Sequence, residues 1–247
     1  MYWPWAQIEP YYQELAGQSL EAANLAAWLA GWSQMRALLA ETFNRLYVAI
    51  TRDTTDENAQ AQYNRFLDEI YPRAQSAEQA LKQKLLSSGL EPEGFAVALQ
   101  NMRSEASLFR AENLPLLAEE LKLAAEYDRI IGAQTVPWDG EELTLQQLQP
   151  VFQDPDRERR ERAWRLAAER QLQDRQAIDE LWSRFMALRG KLAANAGLPG
   201  YRAYRWQQLL RHAYTPEDCK RFHAAVETVV VPAAQRIYER RRQRLGV

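Results

Sequence analysis

Along most of this chain apolar residues return at steps of three and four, and turn formers separate one run from the next. From Ser19 onward Leu25, Trp28, Leu29, Trp32, Met35 and Leu39 share one stripe, which predicts an amphipathic helix. The tryptophans at 28 and 32 lie on the leucine stripe and read as core rather than as a cofactor shelf. The polar break TRDTTDENAQAQ offers Thr and Asp caps for a helix running toward Ser88. Its apolar face is Tyr63, Phe66, Leu67 and Ile70, continued by Leu81, Leu85 and Leu86. Pro72 kinks or divides it, and Gly89 ends it. Leu117, Leu121, Ala124 and Ile131 mark a further helix.

The period changes to two once. In QTVPWDGEELTL, β-favouring residues flank Asp139-Gly140, the dipeptide of a two-residue type I′ hairpin, which predicts one small β-hairpin near residues 134–144. Pro137 confines the first strand to an edge or to a non-bonding position. Thr144 can cap LQQLQPVF. Asp154 as N-cap and Pro155 at N1 then open a long helix that ends at Gly197. Trp164, Leu172, Leu181, Phe185 and Leu192 mark its buried side. The first 18 residues, with Pro4 and Pro10, read as an irregular strap that packs Trp3 and Trp5. The fold class expected is mostly α, long antiparallel helices with one hairpin. Ten glycines in 247 residues agree with it.

Composition narrows the function. The formal charge of −2 gives no general field to attract nucleic acid or an anionic membrane, so neither is expected as a partner. Residues 156–175 carry seven arginines against five acids, which reads as a solvated face laced with ion pairs rather than an RNA footprint. A single cysteine and no apolar leader make the cytoplasm the expected location. Apolar runs stay far below the roughly 18 residues of a membrane helix.

The stretch RHAYTPEDCKRFHAAVE holds both histidines and the cysteine. Thr215 as N-cap and Pro216 at N1 start a helix that carries Cys219, His223 and Glu227 four residues apart, with His212 upstream. That spacing resembles a metal-binding helix. Against it, Phe222, Val226, Val229, Val230, Ala233 and Ile237 form an apolar stripe bordered by Cys219 and His223. Eight residues also climb ~12 Å, too far for all three groups to reach one ion, although two of them still can. No Gly-rich phosphate loop, GxSxG elbow, CxxC pair or HExxH occurs, so no residue is assigned to catalysis or to a metal.

Longer patterns carry a resemblance. AQTVPWDGEELTLQQLQPVFQDPDRERRERAWRLAAERQLQDR, NAGLPGYRAYRWQQLLRHAYTPEDCKRFHAAVE and VVVPAAQRIYERRRQRLG are similar to the N-terminal half of M3-family zinc peptidases of the oligoendopeptidase F type. NMRSEASLFRAENLPLLAEELKL and WLAGWSQMRALLAETFNRLYV extend the similarity upstream. The resemblance implies a helical enzyme whose two lobes enclose a channel for short peptides. In the family, a helix with His-Glu-x-x-His and a downstream Glu holds zinc, which activates water. That motif has no counterpart here, so the zinc of the full-length family is not expected to bind this chain. The organisation implied is a helical region at 1–132, hairpin plus long helix at 133–200, and the start of the peptidase domain at 201–247, ending before the zinc motif. Tyr201, Tyr204, Arg205 and Trp206 are the expected peptide-binding wall residues. The expected partners are short peptides and the zinc-bearing half; the competing expectation is a free-standing helical binding module without catalysis.

Overall fold

The computed structural model describes residues 3–246. Met1 and Tyr2 of the expected strap lie outside the described residues, as does Val247. The chain divides into two compact units, Met1–Tyr204 and Arg205–Val247.

The first unit opens with α1 (Trp5–Gly17), α2 (Leu25–Arg52), α3 (Glu57–Glu69) and α4 (Tyr71–Ser88), followed by α5 (Ala96–Leu108) and α6 (Leu114–Gly132). Residues 5–17 are therefore helical rather than an irregular strap. Pro4 takes the N-cap position, where a missing N–H costs nothing. Pro10 gives up one helical bond, which the burial of Ile8, Tyr12 and Leu15 outweighs. Trp3 is exposed and stacks on Tyr11, while Trp5 stacks on Tyr12.

The α1–α6 core contains Trp28, Trp32, Tyr63, Phe66, Leu67, Ile70, Leu81, Leu85 and Leu99. Both tryptophans are buried with their rings 5.2 Å apart, as the stripe predicts. Their N–H groups find acceptors, Trp28 in the Leu15 carbonyl at 2.8 Å and Trp32 in Glu78 Oε2 at 2.8 Å. Asp56 caps α3 by accepting from the Ala59 N–H. Pro72 divides α3 from α4 instead of kinking one helix. Gly89 closes α4 at φ +70°.

Helix α6 is buried on two sides, through Ala118 and Ala125 toward the first core and Leu123 toward a second. Ile131, expected on the buried stripe, is exposed. The second core joins α6 to α8 (Arg175–Asn195) through Leu181, Leu188, Leu192 and Tyr204.

Between α6 and α8 come β1 (Thr135–Trp138), β2 (Glu141–Thr144) and α7 (Arg157–Gln173). The strands pair antiparallel with Trp138 opposite Glu141 and Pro137 opposite Glu142. Asp139 and Gly140 both take positive φ, +50° and +91°, as a type I′ turn requires. Trp138–Glu141 is the bonded pair nearest the turn, so Pro137 falls in a non-bonded pair and the ladder loses nothing. Thr144 caps a turn that tightens into a 3₁₀ segment, Gln149–Gln153, instead of an α-helix.

The expected helix from 154 to 197 is two helices broken at Asp174. Its N-cap is Asp156, which accepts from the N–H of Glu158 at 2.9 Å, and Asp154 instead accepts from the Asp156 N–H. Trp164 and Leu172 are exposed, against expectation, whereas Leu181 and Leu192 are buried. The reason is the hairpin and the turn after it: Val136 and Trp138, with Leu148, close on Ala163, and only a small residue admits that approach.

In the second unit, α10 (Pro216–Ala225) and α11 (Val231–Leu245) flank a π turn, Val226–Val230. Pro232 explains the turn, because its ring and missing N–H are incompatible with regular α bonding to residue 228. Thr215 and Asp218 complete the expected start as a capping box, each side chain bonded to the other's backbone N–H. Among the described residues, no helix is long and apolar enough to cross a membrane.

Candidate functional site

Helix α9 (Tyr201–Gln208) carries all four expected wall residues and crosses the boundary between the units. Gly200 opens it, its carbonyl accepting from the N–H groups of Ala203 and Tyr204. Tyr201 and Tyr204, three apart, share a face and stack at 6.0 Å. Tyr204 is buried in the α6–α8 core. Tyr201 is half-buried, and its hydroxyl donates to Glu120 Oε1 at 3.2 Å.

Glu120 also accepts from Arg189 Nε at 2.7 Å. The Arg189 guanidinium lies over Phe185 at 4.5 Å and over Tyr201 at 5.1 Å. This Glu120–Arg189–Tyr201 network fastens α9 to α6 and α8. Behind it, burial pushes the Tyr71 hydroxyl up to about 12, with Tyr204 and Glu120 adding in the same direction. That phenol stays protonated near neutrality and supplies no base.

Arg205 and Trp206 belong to the second unit. Arg205 is exposed and donates to Gln208 Oε1 at 2.6 Å. Trp206 is half-buried, meets Tyr214 edge-on at 5.3 Å, and lies 4.9 Å below the Arg211 guanidinium. Of the expected residues, the fold thus pairs Tyr201 with Tyr204 and gives Trp206 two partners that the sequence reading missed. The signal was present as aromatics at 206 and 214 with an arginine between, yet nothing in the sequence shows that α9 ends so as to fold Arg211 back.

Among the described residues, no three His, Cys, Asp or Glu side chains come together to hold an ion. His212 and His223 are exposed, and Cys219 is half-buried. These donors do not fit a zinc site. The first unit also has an apolar groove of about 510 Å³ lined by Trp3, Tyr11, Met35, Leu38 and neighbours. Its charged lining group, Arg45, is paired with Glu41.

Residues 4–106 match the model of the peptidase M3 N-terminal domain, and residues 151–247 match that of peptidase family M3. No curated protein matches the chain in sequence. A solved chain designated oligoendopeptidase F superposes with a TM-score of 0.88 at 25% identity, over 98% of this chain and 44% of its own. PZ peptidase A, solved with an inhibitor, gives 0.90 at 26% over 98% and 44%. A Bacillus anthracis str. Ames chain designated oligoendopeptidase F shares the fold, at 0.90 and 20% identity over 98% and 46%. This chain therefore spans less than half the length of these relatives. Two models of one family cover both ends of the sequence, and the likeness to oligoendopeptidase F structures runs through its whole length: the chain belongs to peptidase family M3.

Proposed function

We propose that this chain is the N-terminal, substrate-confining part of a cytoplasmic zinc endopeptidase acting on oligopeptides. It forms a wall of the peptide channel, and its partner is polypeptide that carries the zinc motif. The observation that carries this reading is the superposition of 98% of the chain on 44% of PZ peptidase A and of an oligoendopeptidase F chain. Two further features support it. The 247 residues contain no His-Glu-x-x-His, and the donors among the described residues do not fit zinc. Phe222, Val230 and Ile237 of the second unit are more than half exposed, leaving an apolar face for the partner polypeptide. Tyr201, Arg205 and Trp206 are the wall residues with surface to offer a peptide, and Tyr204 holds Tyr201 in place.

The test is hydrolysis of a quenched short peptide with added zinc, with and without a polypeptide bearing His-Glu-x-x-His. The chain alone is expected to be inactive, with chelator-sensitive cleavage appearing on mixing. Chelator-sensitive cleavage by the purified chain alone overturns the reading.

A further inference from the structure

The end of α9 is built in an unusual way. The N–H of Leu210 bonds the Gln207 carbonyl at 3.0 Å, and the N–H of Arg211 reaches the Trp206 carbonyl at 3.5 Å. This pair of bonds is a Schellman closure, which needs a left-handed residue at its turn and ordinarily takes glycine there. Here the residue is Leu210, at φ +54°. A leucine in that conformation is held against an unfavourable backbone energy.

The closure turns the chain back, so that Arg211 lies above the residue at which the helix begins to end. Its guanidinium carbon is 4.9 Å from the Trp206 ring and 5.9 Å from Tyr214, which themselves meet edge-on. Two ring faces thus fix the cation while its outward N–H groups remain at the surface, since Arg211 is exposed. Arg211 lies outside the ion pairs Lys220–Glu217, Arg221–Asp218 and Arg242–Glu239 of this unit. The unit has nine basic residues against four acidic ones, so its field favours an anion.

We infer that Arg211, held on Trp206 and Tyr214, is a carboxylate grip that takes the C-terminal carboxylate of a short peptide. The inference rests on the proposed role as a peptide-channel wall and assigns its anionic subsite. A planar guanidinium offers two parallel N–H donors that match the two oxygens of a carboxylate. Stacking on the aromatic pair reduces the freedom lost when they bond, and the rings present an apolar floor to the peptide's last side chain. Arg205, five residues from the closure, is tethered to Gln208 instead.

Isotope-labelled 247-residue chain is titrated with three neutral-core pentapeptides, and the Trp206 indole N–H signal, assigned by its loss in Trp206→Phe, is followed. The peptides are the free acid, its C-terminal amide, and the amide carrying one internal glutamate. The free acid is expected to bind about tenfold tighter than the amide and to shift the Trp206 signal. Arg211→Gln should remove that preference with the melting temperature unchanged, and Arg211→Lys should restore part of it. Equal binding of acid and amide, or a preference that survives Arg211→Gln, overturns the grip while the peptide wall stands. An internal-glutamate amide as tight as the free acid overturns the terminal assignment in favour of acidic side chains. If no peptide binds, the grip and the wall reading fail together.

Discussion

Glu78 is the residue on which three elements agree. One oxygen accepts from Tyr12 of α1 at 2.6 Å and the other from Trp32 of α2 at 2.8 Å, while its own backbone belongs to α4. Burial, then the nearby Glu78 carboxylate, pushes the Tyr12 hydroxyl far above its ordinary value, so it remains a donor at any accessible pH. Truncation strands a buried O–H and N–H, and each stranded donor costs about 1–3 kcal/mol. Glu78→Ala should therefore lower unfolding free energy by about 2–4 kcal/mol in urea melts, and Glu78→Gln by less. A loss below about 0.5 kcal/mol would mean that water reaches both donors. Leu210 poses the opposite question, since its strain is local. A β-branched residue tolerates the left-handed region worse than leucine, so Leu210→Val should cost about 1–2 kcal/mol. Leu210→Gly should stay near neutral, because relief of strain offsets the loss of a half-buried side chain. Equal melts for the two variants would show that φ at 210 relaxes.

At the scale of elements, sequence periodicity was legible wherever a helix has one buried face. It located α2, α3 and α4, the break at Pro72, the Gly89 stop and the hairpin. It misplaced faces where a helix has two neighbours or a close one. Helix α6 serves two cores, so no single stripe describes it; α7 buries Ala163 because Trp138 and Val136 approach closely, and Trp164 and Leu172 turn outward. Leu172→Gln should thus change stability by less than about 0.5 kcal/mol, whereas Leu181→Ala should cost about 2–5 kcal/mol. Comparable losses from the two would restore the single-helix reading. The α7–α8 break was not visible, and one of the two bonds made by the side chain at the break comes from a residue forty positions away. Asp174 accepts from Gln134 Nε2 at 2.9 Å and from Arg170 at 2.7 Å. The Gln134 bond first, then Arg170, holds its carboxyl below the ordinary 3.8 despite some desolvation. A lowered folded value means that the carboxylate stabilises the fold above pH 3.8, and that this is lost as pH falls through the folded value. Asp174→Asn should melt lower than wild type near neutrality, with the gap closing below pH 3.8. A gap constant with pH would assign the effect to packing. Of the candidate site, the residue types at 201–206 were legible, but the Arg211 fold-back depends on backbone geometry that residue types do not encode.

At the scale of the molecule, the net charge of −2 conceals a division. The first unit has 22 basic and 29 acidic residues, a formal −7, and the second has nine and four, a formal +5. Summing over the chain removed the signal that bears most on the proposed peptide site, because the boundary at Tyr204 is a contact property and leaves no linker in the sequence. The second unit is also the one that buries least. Among the described residues, neither α10 nor α11 contains a buried residue, and Phe222, Val230 and Ile237 are 67%, 54% and 62% exposed. Burying a large apolar side chain contributes about 1.5–3 kcal/mol, so three of them make a contact worth several powers of ten in affinity if a partner covers them. An aspartate placed in such a contact loses that contribution and adds a desolvation cost; on an exposed face it costs the isolated chain almost nothing. Phe222→Asp with Ile237→Asp should therefore leave the helicity and melting of the chain unchanged while reducing zinc-dependent cleavage after mixing by at least about tenfold. Cleavage that withstands both aspartates would remove this face from the assembly and leave the wall reading resting on fold alone.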